Sequence, residues 1–218
     1  AADNLGTPVV ARIAGRDQLL LAGKGQIHSY DPATGNSLWS CNWSAERAMN
    51  SVAFDDQHVY ASARQPRPEM LCIRADGSGD VTRTNIVWRT GKAVCDGPSP
   101  IVYDGALYSL SDDGFMTSLD SATGQPLWKR RLGGTFSASP LIAGNHLYCC
   151  NEEGTVFVIR LGTKGELVAQ IPLGESIVAS PITSDHRLYI RTLAGLHCIS
   201  SHEETPLAVQ PEASRGRG

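Results

Sequence analysis

Residues 31–39 read Asp-Pro-Ala-Thr-Gly-Asn-Ser-Leu-Trp, and residues 120–128 repeat this stretch as Asp-Ser-Ala-Thr-Gly-Gln-Pro-Leu-Trp. The Asp carboxylate and the Thr hydroxyl can accept backbone N–H groups inside a tight turn, and the glycine can adopt the positive φ that closes it. The indole that follows can wedge against a neighbouring element while its N–H finds a carbonyl. We therefore predict a structural turn-and-docking motif, to which a third tryptophan belongs by its position: Asp31, Thr34, Gly35, Trp39, Trp88, Asp120, Thr123, Gly124 and Trp128.

Three further markers show that the motif belongs to a repeat of roughly 40 residues. An aliphatic residue followed by tyrosine recurs with the tyrosines 48, 40 and 41 residues apart, at Tyr60, Tyr108, Tyr148 and Tyr189. Ser-Pro pairs precede the last three, with their serines spaced 40 and 41 residues. The three motif tryptophans are 49 and 40 residues apart. A period of this length is typical of a four-stranded propeller blade.

The strands of one repeat can be read directly from its turns. Asp104-Gly105 predicts a tight hairpin after a first strand, and Asp112-Asp113-Gly114 predicts the turn after the second. Short apolar runs between such turns, with no helical periodicity, predict an all-β propeller of four-stranded antiparallel blades. We place about five blades at about 7–41, 42–90, 91–132, 133–173 and 174–203, the last without a fourth strand, and expect a disordered tail at 204–218.

The motif Asp-x-x-Thr-Gly-x-x-Leu-Trp after a Leu-Tyr strand resembles the tryptophan-docking repeat of the PQQ-like (quinoprotein-like) propeller superfamily. That superfamily includes quinoprotein alcohol dehydrogenases and the non-catalytic BamB-type lipoproteins of outer-membrane protein assembly. The resemblance covers about residues 7–200, and residues 73–80 and 188–199 also look like uncharacterised planctomycete-type propellers. Because such propellers close with seven or eight blades, we expect this chain to be the C-terminal part of a longer one.

Composition limits the classes of partner. The chain has 218 residues, a formal net charge of −3 and no basic stripe, so we predict no nucleic-acid binding. No stretch approaches 18 uncharged apolar residues, so no membrane-spanning segment is predicted. Residues 1–7 lack the pattern of a signal peptide.

No residue is predicted to be catalytic, cofactor-binding or metal-binding. Cys149-Cys150 invites comparison with the vicinal disulfide that the resemblance implies for quinoprotein dehydrogenases, but the pair occupies ordinary strand positions and is predicted to be unlinked. Asp76-Gly-Ser-Gly-Asp80 alternates oxygen ligands like a calcium loop, but Val87 stands where the bidentate glutamate is needed. Three histidines recur at one hairpin position, which favours a solvated turn: His58, His146 and His186.

Two functions remain open at this point. The first is a non-catalytic binding or scaffold protein that holds a protein partner, with no cofactor, on the loops of a rigid propeller. The resemblance implies the cell envelope or periplasm as its location. The alternative is a fragment of a PQQ-dependent alcohol or sugar dehydrogenase, which would need a calcium site and an aspartate base.

Overall fold

The computed structural model describes residues 6–200, and every regular element in that range is a β-strand. Five sheets follow one another along the chain, and each is built as an antiparallel meander. No helix that could cross a membrane occurs within residues 6–200. The predicted all-β architecture with five blades is confirmed.

The strands are assigned to blades in chain order. Blade 1 contains β1 (Val9–Ile13), β2 (Arg16–Ala22), β3 (Gln26–Tyr30) and β4 (Ser37–Asn42). Blade 2 contains β5 (Ala53–Phe54), β6 (His58–Ala63), β7 (Glu69–Arg74) and β9 (Ile86–Thr90), with the short β8 (Gly79–Asp80) before β9. Blade 3 contains β10 (Ile101–Tyr103), β11 (Ala106–Leu110), β12 (Phe115–Asp120) and β13 (Pro126–Arg131). Blade 4 contains β14 (Leu141–Ala143), β15 (His146–Cys150), β16 (Thr155–Arg160) and β17 (Glu166–Pro172). Blade 5 contains β18 (Ile182–Ser184), β19 (Arg187–Arg191) and β20 (Leu196–Ser200).

The pairing between the third and fourth strands is irregular at one recurring place. In blade 3 the register shifts after Ser118, which pairs with Trp128, while Leu119 pairs with Pro126. The same shift occurs in blades 1, 2 and 4. One extra residue on the fourth strand at this point bends the strand where it enters the sheet.

Blade 1 gains a fifth strand that the sequence did not predict. β8 pairs in parallel with β4, with Trp39 opposite Gly79 and Ser40 opposite Asp80. The turn between the third and fourth strands of blade 2 is longer than the others, and it reaches back to the outer edge of blade 1. Thr82 fastens it there, because its Oγ1 accepts the N–H of Asn42 at 2.8 Å.

The hydrophobic core lies between consecutive blades. Alternate residues of a strand point to opposite faces of its sheet. Val59 therefore packs in the cluster shared with blade 1, whereas Tyr60 packs with Leu107 and Leu119 of blade 3. Blades 2, 3 and 4 are thus each packed between two neighbours.

The meander topology of the blades gives the propeller two different faces. The docking face carries the hairpins between first and second strands and the turns between third and fourth strands. The connection face carries the hairpins between second and third strands, together with the segments that join one blade to the next: 43–52, 91–100, 132–140 and 173–181.

Candidate partner-binding surface

Two of the motif tryptophans join their blade to the docking-face turn of the next one. The indole N–H of Trp88 donates to the carbonyl of Ser121 at 2.9 Å, and that of Trp128 donates to the carbonyl of Gly162 at 3.0 Å. A Cβ added at Gly124 would lie 2.7 Å from Cδ2 of Trp88. The indole ring therefore rests directly on the backbone of the following turn, where only glycine leaves room.

Trp39 makes the equivalent link through a side chain. Its indole N–H donates to Oε1 of Gln18 in its own blade at 2.8 Å, and Nε2 of Gln18 donates to the carbonyl of Ala75 in blade 2 at 3.0 Å. Gln18 is fully buried and also accepts the hydroxyl of Ser29 at 2.7 Å. This relay could not be predicted from the sequence, because glutamine in a strand is an ordinary surface residue.

In the two aspartate turns, the Asp carboxylate accepts hydrogen bonds from residues of its own turn. Oδ1 of Asp31 accepts the N–H groups of Ala33 at 2.8 Å and Thr34 at 3.2 Å. Oδ1 of Asp120 accepts both the N–H and the hydroxyl of Thr123 at 2.8 Å, and these bonds hold the pKa of Asp120 below its ordinary value. These carboxylates are engaged in closing their turns.

The serines that precede the first strands form a hydrogen-bonded series from blade to blade. The N–H of Ser51 donates to Oγ of Ser99 at 3.0 Å, the N–H of Ser99 to Oγ of Ser139 at 2.9 Å, and the N–H of Ser139 to Oγ of Ser180 at 2.9 Å. Their spacing of 48, 40 and 41 residues equals that of the tyrosines, and this was the signal in the sequence. Tryptophans fasten the blades at the docking face, and these serines fasten them at the connection face.

Cys149 and Cys150 are free thiols that point to opposite faces of their strand. Cys149 packs in the cluster between blades 3 and 4, and Cys150 in the cluster between blades 4 and 5. Burial raises the pKa of Cys150 to about 12 and that of Cys149 well above its ordinary value. Both thiols stay protonated near neutral pH, as expected for packing residues.

The described residues contain no group of three or more His, Cys, Asp or Glu side chains placed to hold a metal ion. In the calcium-like segment, Asp76 accepts the amide of Asn85 at 2.9 Å, and Asp80 accepts the hydroxyl of Thr82. His58 lies beside Asp55, with Nδ1 3.2 Å from Oδ1. These side chains have local partners within their own turns.

A network of charged residues crosses the connection face between blades 2 and 3. Arg64 lies 3.6 Å from Asp112 and 3.7 Å from Asp113, both in the hairpin between β11 and β12. Asp112 also accepts the N–H of Gly97 at 2.8 Å, which ties that hairpin to the segment joining blades 2 and 3. The Ser111 hydroxyl, with Arg64 nearby, holds the pKa of Asp113 below its ordinary value.

Beside this network lies a small cavity of about 160 Å³ with a cationic rim. Arg64, Lys92 and Lys129 line it, together with a single carboxylate, Asp113. Asp113 is already paired with Arg64. Nζ of Lys129 lies 4.2 Å from the ring centroid of Phe115. Neither lysine has a carboxylate within ion-pair distance among residues 6–200.

The interior of the cavity is polar. The hydroxyl-bearing residues Ser109, Ser111 and Thr117 line it. A volume of this size admits one side-chain head group and is below the range of about 300–1,000 Å³ typical of cofactor pockets. We call this site, defined by Arg64, Lys92 and Lys129, the cationic patch.

Comparisons with known proteins agree with the fold and its repeats. The family described as outer membrane protein assembly factor BamB matches residues 78–168. The crystal structure of BamB from Moraxella catarrhalis superposes with a TM-score of 0.68 at 19% identity, covering 88% of this chain and 57% of that one. The chain is a β-propeller similar in fold to BamB, and residues 78–168 carry the matching repeats.

Curated relatives agree with this assignment. The outer membrane protein assembly factor BamB of Escherichia coli (strain K12) is 27% identical over 144 residues, which cover 66% of this chain and 34% of the relative. Its counterpart from Salmonella typhimurium is 28% identical over 119 residues, or 54% of this chain and 30% of the relative. The aligned part of this BamB-like chain thus spans about a third of the length of these relatives.

Proposed function

We propose that this chain is a non-catalytic propeller scaffold that binds a protein partner in the bacterial cell envelope. The observation that carries the proposal is the cationic patch, where Lys92 and Lys129 flank a polar cavity and neither lies within ion-pair distance of a carboxylate among residues 6–200. Relatives named for outer membrane protein assembly support the setting.

The chemistry of the patch favours an acidic segment of the partner. An Asp or Glu side chain entering the cavity would meet Lys92 and Lys129 beside the hydroxyl-bearing residues that line it. Such charge complementarity sets partner choice and association rate. Arg64 lies in the hairpin between β6 and β7, and Lys92 lies in the segment that joins blades 2 and 3, so both cations reach the cavity from the connection face.

The test compares charge reversals on the two faces of the propeller. A Lys92→Glu, Lys129→Glu double variant should lower retention of the partner from an envelope fraction at least tenfold, and added salt should weaken wild-type binding. Lys164→Glu is the matched control, because Lys164 is an exposed lysine in a docking-face turn of blade 4. Retention lost in the Lys164 variant and kept in the patch variant would contradict the proposal.

A second measurement addresses the non-catalytic role. Isothermal titration of the chain with pyrroloquinoline quinone and calcium should give no saturable heat, and a dye-linked assay should show no alcohol oxidation. Saturable binding with turnover would replace the scaffold function with that of a quinone-dependent dehydrogenase.

A further inference from the structure

A groove of about 490 Å³ opens on the docking face between blades 2 and 3. It is lined by the hairpin that joins β5 to β6 and by the hairpin that joins β10 to β11. The first strands β5 and β10 lie beside each other, so each blade contributes one hairpin to the groove. The cationic patch lies on the opposite face and shares no residue with this groove.

Aromatic side chains are exposed in the groove. Phe54 at the end of β5 is 39% exposed, and Tyr103 at the end of β10 is 49% exposed. Both line the groove, together with Val102. The face of an aromatic ring attracts a cation, and among side chains this is most often the guanidinium of arginine. The exposed rings are therefore one indication of a cationic ligand.

The carboxylates that line the groove are a second and independent indication. Asp55 is already engaged, because it accepts the hydroxyl of Tyr60 at 2.6 Å and lies 3.2 Å from Nδ1 of His58. Asp56 and Asp104 also line the groove, and neither lies within ion-pair distance of a lysine, arginine or histidine among residues 6–200. No lysine or arginine of that range lines the groove. The groove thus has the charge that would complement a cation.

We propose that this groove binds an arginine side chain of a protein partner. A planar guanidinium can stack on a ring and donate N–H groups to a neighbouring carboxylate at the same time, and Tyr103 is followed directly by Asp104. The aliphatic stem of an arginine can pack against apolar lining such as Val102. The site goes beyond the proposed function, because its charge and its face are opposite to those of the cationic patch. Each site can therefore fail its test without the other.

Titration with blocked amino acids tests the chemistry of the groove. N-acetyl-L-arginine amide is added to the full chain, and the backbone amide shifts are followed by NMR. We expect saturable binding, with shifts concentrated in residues 54–58 and 102–105. N-acetyl-L-citrulline amide has nearly the same shape without the charge and should bind about tenfold more weakly or worse. Equal binding of the two probes, or no saturable binding of the arginine probe, would overturn the proposal.

Substitutions at matched hairpin positions test the residues. An Asp56→Asn, Asp104→Asn double variant keeps the size of both side chains and should weaken binding of the arginine probe about tenfold. Asp185→Asn is the control, because Asp185 holds the position of Asp104 in the first hairpin of blade 5, with φ of 49° in both, but follows Ser184. Tyr103→Leu should weaken binding about threefold. The same spectra show that each variant is folded. Unchanged binding in either groove variant, or an equal loss in the Asp185 variant, would overturn the proposal.

Two further titrations identify the source of the arginine. Free L-arginine should bind more weakly than the blocked amide, because Asp56 and Asp104 would repel its α-carboxylate. Tighter binding of the free amino acid would assign the groove to a small molecule and overturn the proposal. Residues 204–218, whose predicted disorder lies outside the described residues, include Arg215 and Arg217. Binding of the probe only to a chain ending at residue 200 would assign the groove to this chain's own arginines, which would also overturn it.

Discussion

The backbone N–H of Ser99 donates to Oγ of Ser139 across 2.9 Å, although the two residues are 40 positions apart. The bond joins the start of blade 3 to the start of blade 4, and Ser51 and Ser139 make the same bond to their successors. The Ser139 hydroxyl therefore links blade 4 to the backbone of blade 3 just before the first strand of blade 3 begins. A serine before each first strand is part of how the blades keep their angle to one another.

Replacing Ser139 with alanine should lower the free energy of unfolding by about 1 kcal/mol. The change removes the acceptor of the Ser99 N–H and leaves that donor unpaired in a half-buried position. Urea unfolding followed by tryptophan fluorescence measures the loss. Ser37→Ala, at an exposed strand residue, is the control and should change stability by less than about 0.5 kcal/mol. Equal losses in the two variants would contradict a stabilising role for the serine hydrogen bonds between blades.

Gly124→Ala should destabilise the protein more than Gly35→Ala, although both residues occupy the same motif position. Both have positive φ, 70° and 74°, so the backbone strain of about 1 kcal/mol is common to the two changes. At Gly124 the new methyl group would meet the indole of Trp88, whereas a Cβ added at Gly35 would have no heavy atom within 4 Å outside its own chain neighbours. Overpacking should add about 1–3 kcal/mol.

The measurement is the difference between the two unfolding free energies, with the fluorescence maximum of the native state as a second readout. The Gly124 variant should also shift the emission of Trp88 to longer wavelength, because the ring must move away from the turn. A difference below about 0.5 kcal/mol would mean that the indole does not rest on this glycine.

Gln18→Met should cost about 3 kcal/mol or more, because Gln18 serves several buried partners at once. Its loss leaves the indole N–H of Trp39 and the hydroxyl of Ser29 without their partner, while the carbonyl of Ala75 keeps only its bond from Arg16. Thermal and urea unfolding measure the effect. Gln170→Met on the exposed face of β17 is the control and should be nearly neutral; a neutral Gln18 variant would argue against the relay.

The repeat made the fold predictable, and it did so through particular residues. Asp31, Gly35 and Trp39 each have a local physical role, and their recurrence at the blade period predicts the architecture without any contact map. The role of Gln18 could not be read in the same way. Its partners Ser29 and Trp39 lie on two other strands of blade 1, and Ala75 lies in blade 2, so only the folded arrangement brings them together.

The cationic patch was also invisible in the sequence. Arg64, Lys92 and Lys129 belong to a hairpin, a connecting segment and a fourth strand. The chain contains nearly balanced charges, with 19 Lys and Arg against 22 Asp and Glu, and the basic run that begins at Lys129 does not point to Arg64 or Lys92. The three cations are distinguished by lining one cavity, where neither lysine lies within ion-pair distance of a carboxylate among residues 6–200. Only the folded arrangement of the side chains shows this.

Glu69 gives the protein a pH-dependent link between blades 1 and 2. Burial alone would raise the pKa of Glu69, but the hydroxyl and N–H of Ser44, at 2.6 and 2.8 Å, together with Arg89, hold it below its ordinary value. A lowered pKa in the folded state means that the stabilisation is complete above the unfolded pKa of about 4.3 and is lost as the pH falls through the folded value.

Glu69→Gln should therefore cost about 2 kcal/mol at pH 7, and the gap to wild type should shrink as the pH falls below about 4. Unfolding free energies measured from pH 7 to pH 3 test this. Glu166→Gln is the control, because Glu166 makes an exposed ion pair with Arg160 at 2.9 Å that should contribute little. A gap that stays constant over the whole range would show that Glu69 is not ionised in the folded protein.

The measurement that bears most directly on the scaffold function is site-specific photocross-linking in the intact cell envelope. A photoreactive residue is placed at Lys92 on the connection face or at Lys164 on the docking face of the full chain. We expect a discrete, light-dependent adduct with one protein from position 92 and none from position 164. An adduct from position 164 alone, or no adduct from either, would contradict partner binding at the cationic patch.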